Sequence, residues 1–356
     1  MTAEDDFIQY LLEIGEFQED KPVLFPTNDQ WAMAVSKHKE DLSKHYRLCV
    51  ADWPVVNKLI HKQQFYDWAT KREYPVPRSW DTEERIPDDA FPVAAKPEYR
   101  RVSSDKPSTE TLSQKFDEMR LEILEDRHEV QEFKDENENV LQYFIFQEYV
   151  RGLSNRMYTI GIYADENSEV LGMFTGRKLR GFPPDIGDCK LGQAENLPSS
   201  LKTMVKELCR DLGYTGIAEF EFKRDEVTGK FKLIEINPRS WSWVGITPSC
   251  GVSLPWIAYA DLKGIGDISY TENTVSTGEV KWVRLLEDSI NCLYKNERAG
   301  YPEWDMTFAE WCQSIRASKT VTAEFDIRDP APGLYSVYKF MRSNGGQLKR
   351  KYLGET

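Results

Sequence analysis

The segment 216–239 restricts the fold of this chain more than any other part of the sequence. It reads GIAEFEFKRDEVTGKFKLIEINPR, in which two runs of alternating apolar and polar residues flank the turn DEVTG. Side chains alternate between the two faces of a strand, so Phe220 and Phe222 share one face of the first strand. Glu219 and Glu221 share the opposite face. The segment therefore predicts a hairpin with one apolar and one acidic face.

The second strand of this hairpin places Glu235 and Asn237 on one face, because Ile234 and Ile236 alternate with them. If the strands pair antiparallel, three or four oxygen-bearing side chains converge on one surface. Carboxylates this close destabilise a sheet unless a cation lies between them, and Mg²⁺ prefers oxygen ligands. Arg239 would then lie at the rim and could hold an oxyanion. An ordinary amphipathic hairpin with its acidic face in water is the alternative.

The net charge limits the kinds of partner that the chain can bind. It has 59 acidic and 46 basic residues, a formal charge of −13 and a pI of about 5.0. An acidic surface repels nucleic acid and anionic membranes, so neither is expected as a partner. A ligand that carries phosphate must be held by a local cluster of Lys, Arg or metal ions.

The cysteine and histidine content excludes several kinds of active site. The six cysteines form no CxxC pair, no apolar run reaches ~20 residues and the N-terminus is acidic, all of which favour a reduced, cytoplasmic protein. No histidine follows His128, which excludes Cys/His zinc sites and argues against His-dependent nucleophilic catalysis in the last two thirds. The phosphate-binding motif GxxxxGK[ST] is missing as well. Carboxylates, amides, Lys and Arg remain for chemistry.

Hydrophobic periodicity predicts alternating strands and helices along the chain. We expect strands at 21–27, 91–97, 140–150, 157–164 and 169–177, and helices at 28–44, 55–71, 111–132, 201–212 and 254–262. Gly213 is expected to close the helix that precedes it. The pattern indicates an α/β (α+β) protein.

Glu221 followed by Glu235-Ile236-Asn237-Pro238-Arg239 resembles the metal-binding end of the ATP-grasp superfamily. Within it, the chain is most similar to uncharacterised carboxylate–amine ligase-like proteins near the carbamoyl-phosphate synthase and biotin carboxylase ATP-binding domains. The resemblance covers roughly residues 21–264. It implies that Glu221, Glu235 and Asn237 coordinate Mg²⁺ (or Mn²⁺), that Arg239 contacts phosphate or substrate, and that Glu219 lies behind the ligands.

Other residues match the family's motifs in the same order along the chain. The resemblance implies phosphate-contacting lysines, a hinge that reads the adenine edge through the backbone, and a further phosphate or substrate contact of catalytic importance. The corresponding residues are Lys62 and Lys96, then Gln147, Glu148 and Val150, and finally Lys178. Trp241 could stack on a substrate, although packing is the commoner use of an aromatic side chain here.

The resemblance also implies a domain organisation. We expect a shortened Rossmann-like part at 1–60, an ATP-grasp domain at 61–264 with two α+β subdomains and a lid at about 97–150, and a C-terminal extension at 265–356. The sequence departs from the family in its lid, because 97–110 contains no glycine. Arg100, Arg101, Ser103 and Ser104 could close over phosphates instead. A shortened first domain is compatible with a homodimer.

The implied activity is ATP-dependent activation of a carboxylate as an acyl phosphate, with release of ADP, followed by attack of an amine or thiol. Small-molecule carboxylate and amine substrates are the expected partners, and ATP and Mg²⁺ the expected cofactors. A phosphotransferase or carboxylase that uses the same nucleotide site is one alternative. A nucleotide-binding or scaffold protein without catalysis is another.

Overall fold

The fold was analysed in a computed structural model that describes residues 3–98, 121–182, 187–293 and 306–352. Its helices, numbered α1 to α11 in chain order, are Ala3–Glu16, Asp29–Lys37, Lys39–Leu42, Trp53–Ile60, Lys62–Thr70, Arg127–Glu136, Ser199–Leu212, Leu254–Lys263, Leu285–Leu293, Phe308–Ser314 and Ala331–Tyr352. Its strands, β1 to β14, are Val23–Leu24, Arg47–Leu48, Ser79–Trp80, Val93–Pro97, Glu122–Leu124, Phe144–Glu148, Met157–Ala164, Val170–Phe182, Asp188–Ala194, Gly216–Arg224, Phe231–Asn237, Thr271–Glu272, Val280–Val283 and Lys319–Thr322. Within these ranges, no helix combines the length and hydropathy that a membrane span requires.

The larger sheet runs in the order β11-β10-β7-β8-β9-β13-β14, with β12 beside β8. Strands β11 to β9 pair antiparallel, as does β13 with β9. One face packs on the N-terminal helices and α7 through a core that includes Ile160, Val205 and Phe220. The opposite face packs on α8 around Phe174 and Trp243. This sheet carries the predicted acidic hairpin at one edge.

The smaller sheet has the order β3-β6-β4-β5 and pairs antiparallel throughout. Helix α6 packs on it through Val130 and Phe133, whose side chains join those of Val93, Phe144 and Phe146 in a separate hydrophobic core. Each sheet thus has its own helices and its own core. The two α+β subdomains expected of an ATP-grasp fold are therefore observed, one built on each sheet.

Residues 3–60, called the N-terminal unit below, contain a small parallel sheet with flanking helices. Strands β1 and β2 pair parallel and are joined through α2 and α3. The helices predicted at 28–44 and 55–71 are each interrupted, at His38 and at His61. The backbone leaves the helical region at His61 (φ −81°, ψ 97°), and its Nδ1 lies 2.8 Å from the Asn57 carbonyl oxygen. Apolar periodicity continues through both breaks, which is why the sequence predicts single helices.

Of the described part of the helix predicted at 111–132, residues 121–126 are not helical, whereas 127–132 are. Residues 122–124 form β5, which pairs with β4, and α6 begins after Asp126 and continues to Glu136. The Asp126 carboxylate accepts hydrogen bonds from the backbone N–H groups of His128 and Glu129, so it caps the helix. The strand predicted at 140–150 is shorter, because 138–143 form a 3₁₀ helix. Residues 111–120 and the residues proposed to replace the glycine-rich lid lie outside the described ranges.

The other predicted strands and helices are observed within about five residues of their predicted ends. Helix α7 ends at Gly213, which adopts a left-handed conformation (φ 65°) at no steric cost because glycine has no Cβ. The strand pair predicted at 157–177 is observed as β7 and β8. Beyond 264, β12, β13 and β14 extend the larger sheet instead of forming a sheet of their own within the described ranges.

Candidate active site

A cavity of about 770 Å³ lies between the two sheets. The ten residues predicted from the sequence to form the site all line it: Lys62, Lys96, Gln147, Glu148, Val150, Lys178, Glu221, Glu235, Asn237 and Arg239. They come from α5, from β4 and β6 of the smaller sheet, from β8, β10 and β11 of the larger one, and from the segments that directly follow β6 and β11. Positions separated by as many as 177 residues in the chain thus face one space.

The acidic face of the hairpin forms one wall of this cavity. Strands β10 and β11 pair antiparallel with Glu221 opposite Glu235 and Glu219 opposite Asn237. Directly opposed residues of an antiparallel pair share a face, so all four side chains lie on the same side of the sheet. The antiparallel hairpin and the acidic face predicted from alternation are confirmed. A register shift follows immediately, between Glu221 and Phe222.

Glu219 lies buried at the base of the acidic face. Its Oε1 accepts hydrogen bonds from Thr159 Oγ1 (3.1 Å) and Trp243 Nε1 (3.3 Å), and its Oε2 accepts one from Asn237 Nδ2 (3.0 Å). Burial and the neighbouring Glu221 raise the pKa of Glu219 to about 8. Glu219 therefore orients Asn237 from behind, while Glu221 and Glu235 face the cavity.

Lys178 connects the acidic face to the neighbouring strand β8. Its Nζ lies 3.4 Å from Glu221 Oε1 and donates to the Gly187 carbonyl oxygen at 3.1 Å. Burial by itself would lower the pKa of Lys178, but the nearby carboxylates, Glu221 first among them, raise it. The lysine is therefore charged at neutral pH and lies beside the acidic pair.

Two further lysines enter from the opposite side of the cavity. Lys96, at the end of β4, donates to Tyr66 Oη at 3.2 Å, and Tyr66 donates in turn to the Ile234 carbonyl oxygen at 2.6 Å. Lys62, the first residue of α5, donates to the Pro97 carbonyl oxygen at 2.9 Å. The chain Lys96–Tyr66–Ile234 joins the two sheets across the cavity wall.

The predicted hinge lies at the end of β6. Gln147 pairs with Ala94 in the ladder between β4 and β6, and the Glu148 backbone N–H donates to the Arg78 carbonyl oxygen at 2.8 Å. Val150, two residues beyond the strand end, is buried against the cavity. Residues 147–150 thus line the space between the sheets.

Arg239 is engaged with the N-terminal unit. Its Nε lies 2.6 Å from Asp29 Oδ1 and its Nη2 lies 3.4 Å from Asp29 Oδ2, a bidentate pair at the first residue of α2. The same Nη2 donates to Asn237 Oδ1 at 3.2 Å. Asp29 therefore holds the guanidinium at the rim of the cavity, beside the acidic face.

Sequence reasoning missed several residues of this site. No pattern in the sequence around Asp29 distinguishes it from other acidic residues. Lys223, in contrast, follows Glu219 and Glu221 in the same strand alternation, which could have predicted its position. Lys223 is buried, lines the cavity and places its Nζ 5.0 Å from the centroid of the Tyr149 ring, a cation–π distance. It adds a fourth lysine to the cavity wall.

Trp241 packs rather than presenting an exposed stacking surface. It is buried, and its six-membered ring lies over Gly161 of β7 and beside Phe174. A Cβ at Gly161 would lie 2.1 Å from Trp241 Cη2, so only glycine leaves room for the indole. The Trp241 Nε1 atom has no hydrogen-bond partner among the described residues.

Replacing Gly161 with Ala should displace Trp241 and lower the free energy of unfolding by about 1–3 kcal/mol, as overpacking does. Chemical denaturation followed by tryptophan fluorescence measures this loss. In a Trp241→Leu background the same change should cost less, because the clashing ring is absent, and the difference gives the coupling between the two positions. Equal losses in both backgrounds would contradict the steric explanation.

The side chains present suit a cation that is shared with a phosphate ligand. No group of three or more His, Cys, Asp or Glu able to hold a metal ion by itself occurs among the described residues. Mg²⁺ typically uses one or two carboxylates and completes its shell with water and substrate phosphates. Glu221 and Glu235 supply two, and Asn237 Oδ1, although bonded to Arg239, keeps a second lone pair. The donor set therefore fits Mg²⁺.

Known proteins resemble this chain both in sequence and in fold. No family model matches the chain. A D-aspartate ligase of Enterococcus faecium is 28% identical over 373 residues, covering 97% of this chain and 83% of the relative. The biotin carboxylase domain of a Hydrogenobacter thermophilus 2-oxoglutarate carboxylase superposes with a TM-score of 0.57 at 15% identity, over 77% of this chain.

A biotin carboxylase from Campylobacter jejuni superposes with a TM-score of 0.54 at 12% identity, over 76% of this chain. The superposed part spans 58% and 59% of those two structures. Likeness at this level of identity concerns the fold. Together with the sequence likeness to the D-aspartate ligase, it supports an ATP-grasp fold and a similarity to carboxylate–amine ligases.

Proposed function

We propose that this protein is an ATP-dependent carboxylate–amine ligase that binds Mg-ATP between its two sheets. The observation that carries the proposal is the convergence of an acidic pair, Glu221 and Glu235, with Lys62, Lys96 and Lys178 on one cavity. Carboxylates alone would repel a nucleotide, and lysines alone would not bind a divalent cation. The combination suits a metal-bound polyphosphate in a chain that is otherwise strongly acidic.

The proposed binding mode assigns each wall of the cavity one part of the nucleotide. The hinge 147–150 lies along the adenine, with backbone groups of Glu148 and Val150 reading the base edge. Lys62 and Lys96 neutralise the phosphates from one side, and Lys178 does so from the other. Glu221, Glu235 and Asn237 would hold Mg²⁺, or Mn²⁺ in its place, which neutralises charge on the transferring phosphate when bound.

The chemistry proceeds in two steps. An oxygen of the substrate carboxylate attacks the γ-phosphorus of ATP, the bond to the β-γ bridging oxygen breaks, and ADP leaves. The amine then attacks the carbonyl carbon of the acyl phosphate, loses a proton and releases inorganic phosphate. The chain contributes positioning and charge stabilisation, with Lys178 beside the acidic pair and Arg239 at the rim for the acyl phosphate.

The identity of the relative suggests the substrate class. Because the curated relative is a D-aspartate ligase, we infer that the carboxylate substrate here is D-aspartate or another acidic amino acid. The bidentate pair of Arg239 with Asp29 supports an acceptor side at the N-terminal unit. In this scheme residues 1–60 shape the acceptor pocket, 61–264 bind ATP with a lid at about 97–150, and the strands after 264 complete the larger sheet.

The test is release of ADP, AMP and phosphate from Mg-ATP across a matrix of amino acids, amines and bicarbonate. We expect ADP and phosphate in equal amounts, formed only when an acidic amino acid and an amine are both present, and an amide product detected by mass spectrometry. ADP formation that needs bicarbonate and yields no amide would instead support a carboxylase. AMP release would overturn the acyl phosphate mechanism, and binding of ATP without turnover would favour a non-catalytic role.

A further inference from the structure

Helix α1 presents an apolar stripe to solvent. Tyr10, Ile14 and Phe17 are spaced by four and then three residues, so they lie on one face of the helix and its C-terminal turn. Their side chains are between 36% and 84% exposed. The inward face is different, because Ile8 and Leu11 are buried in the main core.

The stripe on α1 belongs to a well-anchored helix. The Phe7 ring lies 4.0 Å, centroid to centroid, from the Trp31 ring of α2. Tyr46 Oη donates a hydrogen bond to the Leu11 carbonyl oxygen at 2.6 Å. The exposed residues therefore form a fixed surface and not a frayed end.

Helix α11, near the other end of the chain, presents an apolar stripe with the same residue spacing. Leu334, Tyr338 and Met341 repeat the spacing of four and three, and are 57% to 67% exposed. The start of the helix packs on the preceding segment, where a Cβ at Gly333 would meet the Phe325 ring at 2.5 Å. The first and last residues of each stripe are seven positions apart, about 10 Å along its helix.

The two helices have opposite charges. Helix α1 has five acidic and no basic residues, namely Glu4, Asp5, Asp6, Glu13 and Glu16. Helix α11 has five basic and no acidic residues, namely Lys339, Arg342, Lys349, Arg350 and Lys351. Helical spacing places Asp6 and Glu13 beside the first stripe and Arg342 beside the second. The spacing of the apolar residues is therefore the same on α1 and α11 and their charges are opposite, whereas either helix would oppose like charges on a second copy of itself.

We propose that α1 of one copy of this protein packs against α11 of a second copy, giving a two-fold dimer with two equivalent contacts. Both stripes are exposed within one chain, so they do not cover each other there. A two-fold arrangement buries both stripes of both copies at once. Pairing of α11 with another α11 would oppose like charges.

The test is sedimentation equilibrium of the full chain at low and high salt. We expect a dimer that weakens as salt rises, since exposed charges are screened. Reversal of α1 by Asp6→Lys with Glu13→Lys, or of α11 by Lys339→Glu with Arg342→Glu, should each weaken the dimer by about a hundredfold. All four changes in one chain should restore it, because the charges then match again.

A second pair of variants tests the apolar stripe. Tyr338→Asp should abolish the dimer, whereas Val227→Asp, a control in the exposed turn between β10 and β11, should leave it unchanged. Unaltered thermal transitions would show that these surface variants fold. A wild-type chain that stays monomeric, a dimer insensitive to both charge reversals, or a monomer that binds phosphatidylglycerol vesicles through α11 would each overturn the proposal.

Discussion

Replacing Glu235 with Gln is expected to reduce ADP formation by about a thousandfold, the scale of losing one preorganised electrostatic contact to a transition state. Glu235 lies directly opposite Glu221, so the two carboxylates would share one cation, and glutamine keeps the shape while removing the charge. The free energy of unfolding should stay level or rise, because opposed like charges destabilise a sheet when no cation separates them. The variant therefore separates catalysis from folding.

Steady-state ADP release and chemical denaturation of the same preparation measure both quantities. Glu207→Gln is the matched control, since it makes the same change on the exposed side of α7, and it should keep full activity. Raising Mg²⁺ should recover part of the lost activity if the defect is weaker cation binding. Near-normal ADP formation by the Glu235 variant would remove this residue from the site.

Replacing Asp288 with Ala is expected to lower the free energy of unfolding by about 3–5 kcal/mol, the usual effect of leaving a buried charge without its partner. Asp288 is completely buried on α9 and accepts hydrogen bonds from Arg180 Nε at 2.9 Å and Nη2 at 2.6 Å. Trp311 Nε1 donates to the same carboxylate at 2.8 Å. Burial lowers the pKa of Arg180, and the bonds to Asp288 more than offset this and raise it.

Denaturant unfolding followed by both fluorescence and circular dichroism measures this loss and shows whether the two sheets unfold together. A double variant, Arg180→Met with Asp288→Leu, should be less destabilised than Asp288→Ala, because it leaves no unpaired charge in the interior. A loss below about 0.5 kcal/mol for Asp288→Ala, typical of exposed positions, would show that α9 contributes little to the larger sheet.

The acidic face of the hairpin could be predicted because strand alternation is a local property, and it places Glu219 and Glu221 on one face. The register could not be predicted, because the pairing next to the turn (Phe222 opposite Leu233) shifts by one residue before Glu221, and only this shift brings Glu235 opposite Glu221. Helix boundaries were less predictable where apolar periodicity continues through a break, as at His61. At β5, pairing with β4 overrode a helical pattern, since sheet formation depends on a partner that a sequence window does not contain.

The sequence by itself determined which chemistry the protein can perform, since residue types and strand alternation are properties of short segments. Only the tertiary structure decided which distant groups meet. The contact of Arg239 with Asp29 joins positions 210 residues apart, and that of Arg180 with Asp288 joins positions 108 apart. Such pairs depend on how sheets and helices pack, because nothing in the local pattern around Asp29 or Asp288 distinguishes them from other acidic residues. The hairpin segment itself supplies the acidic face. The packing of other segments places Lys62, Lys96 and Lys178 around that face and brings Asp29 to Arg239.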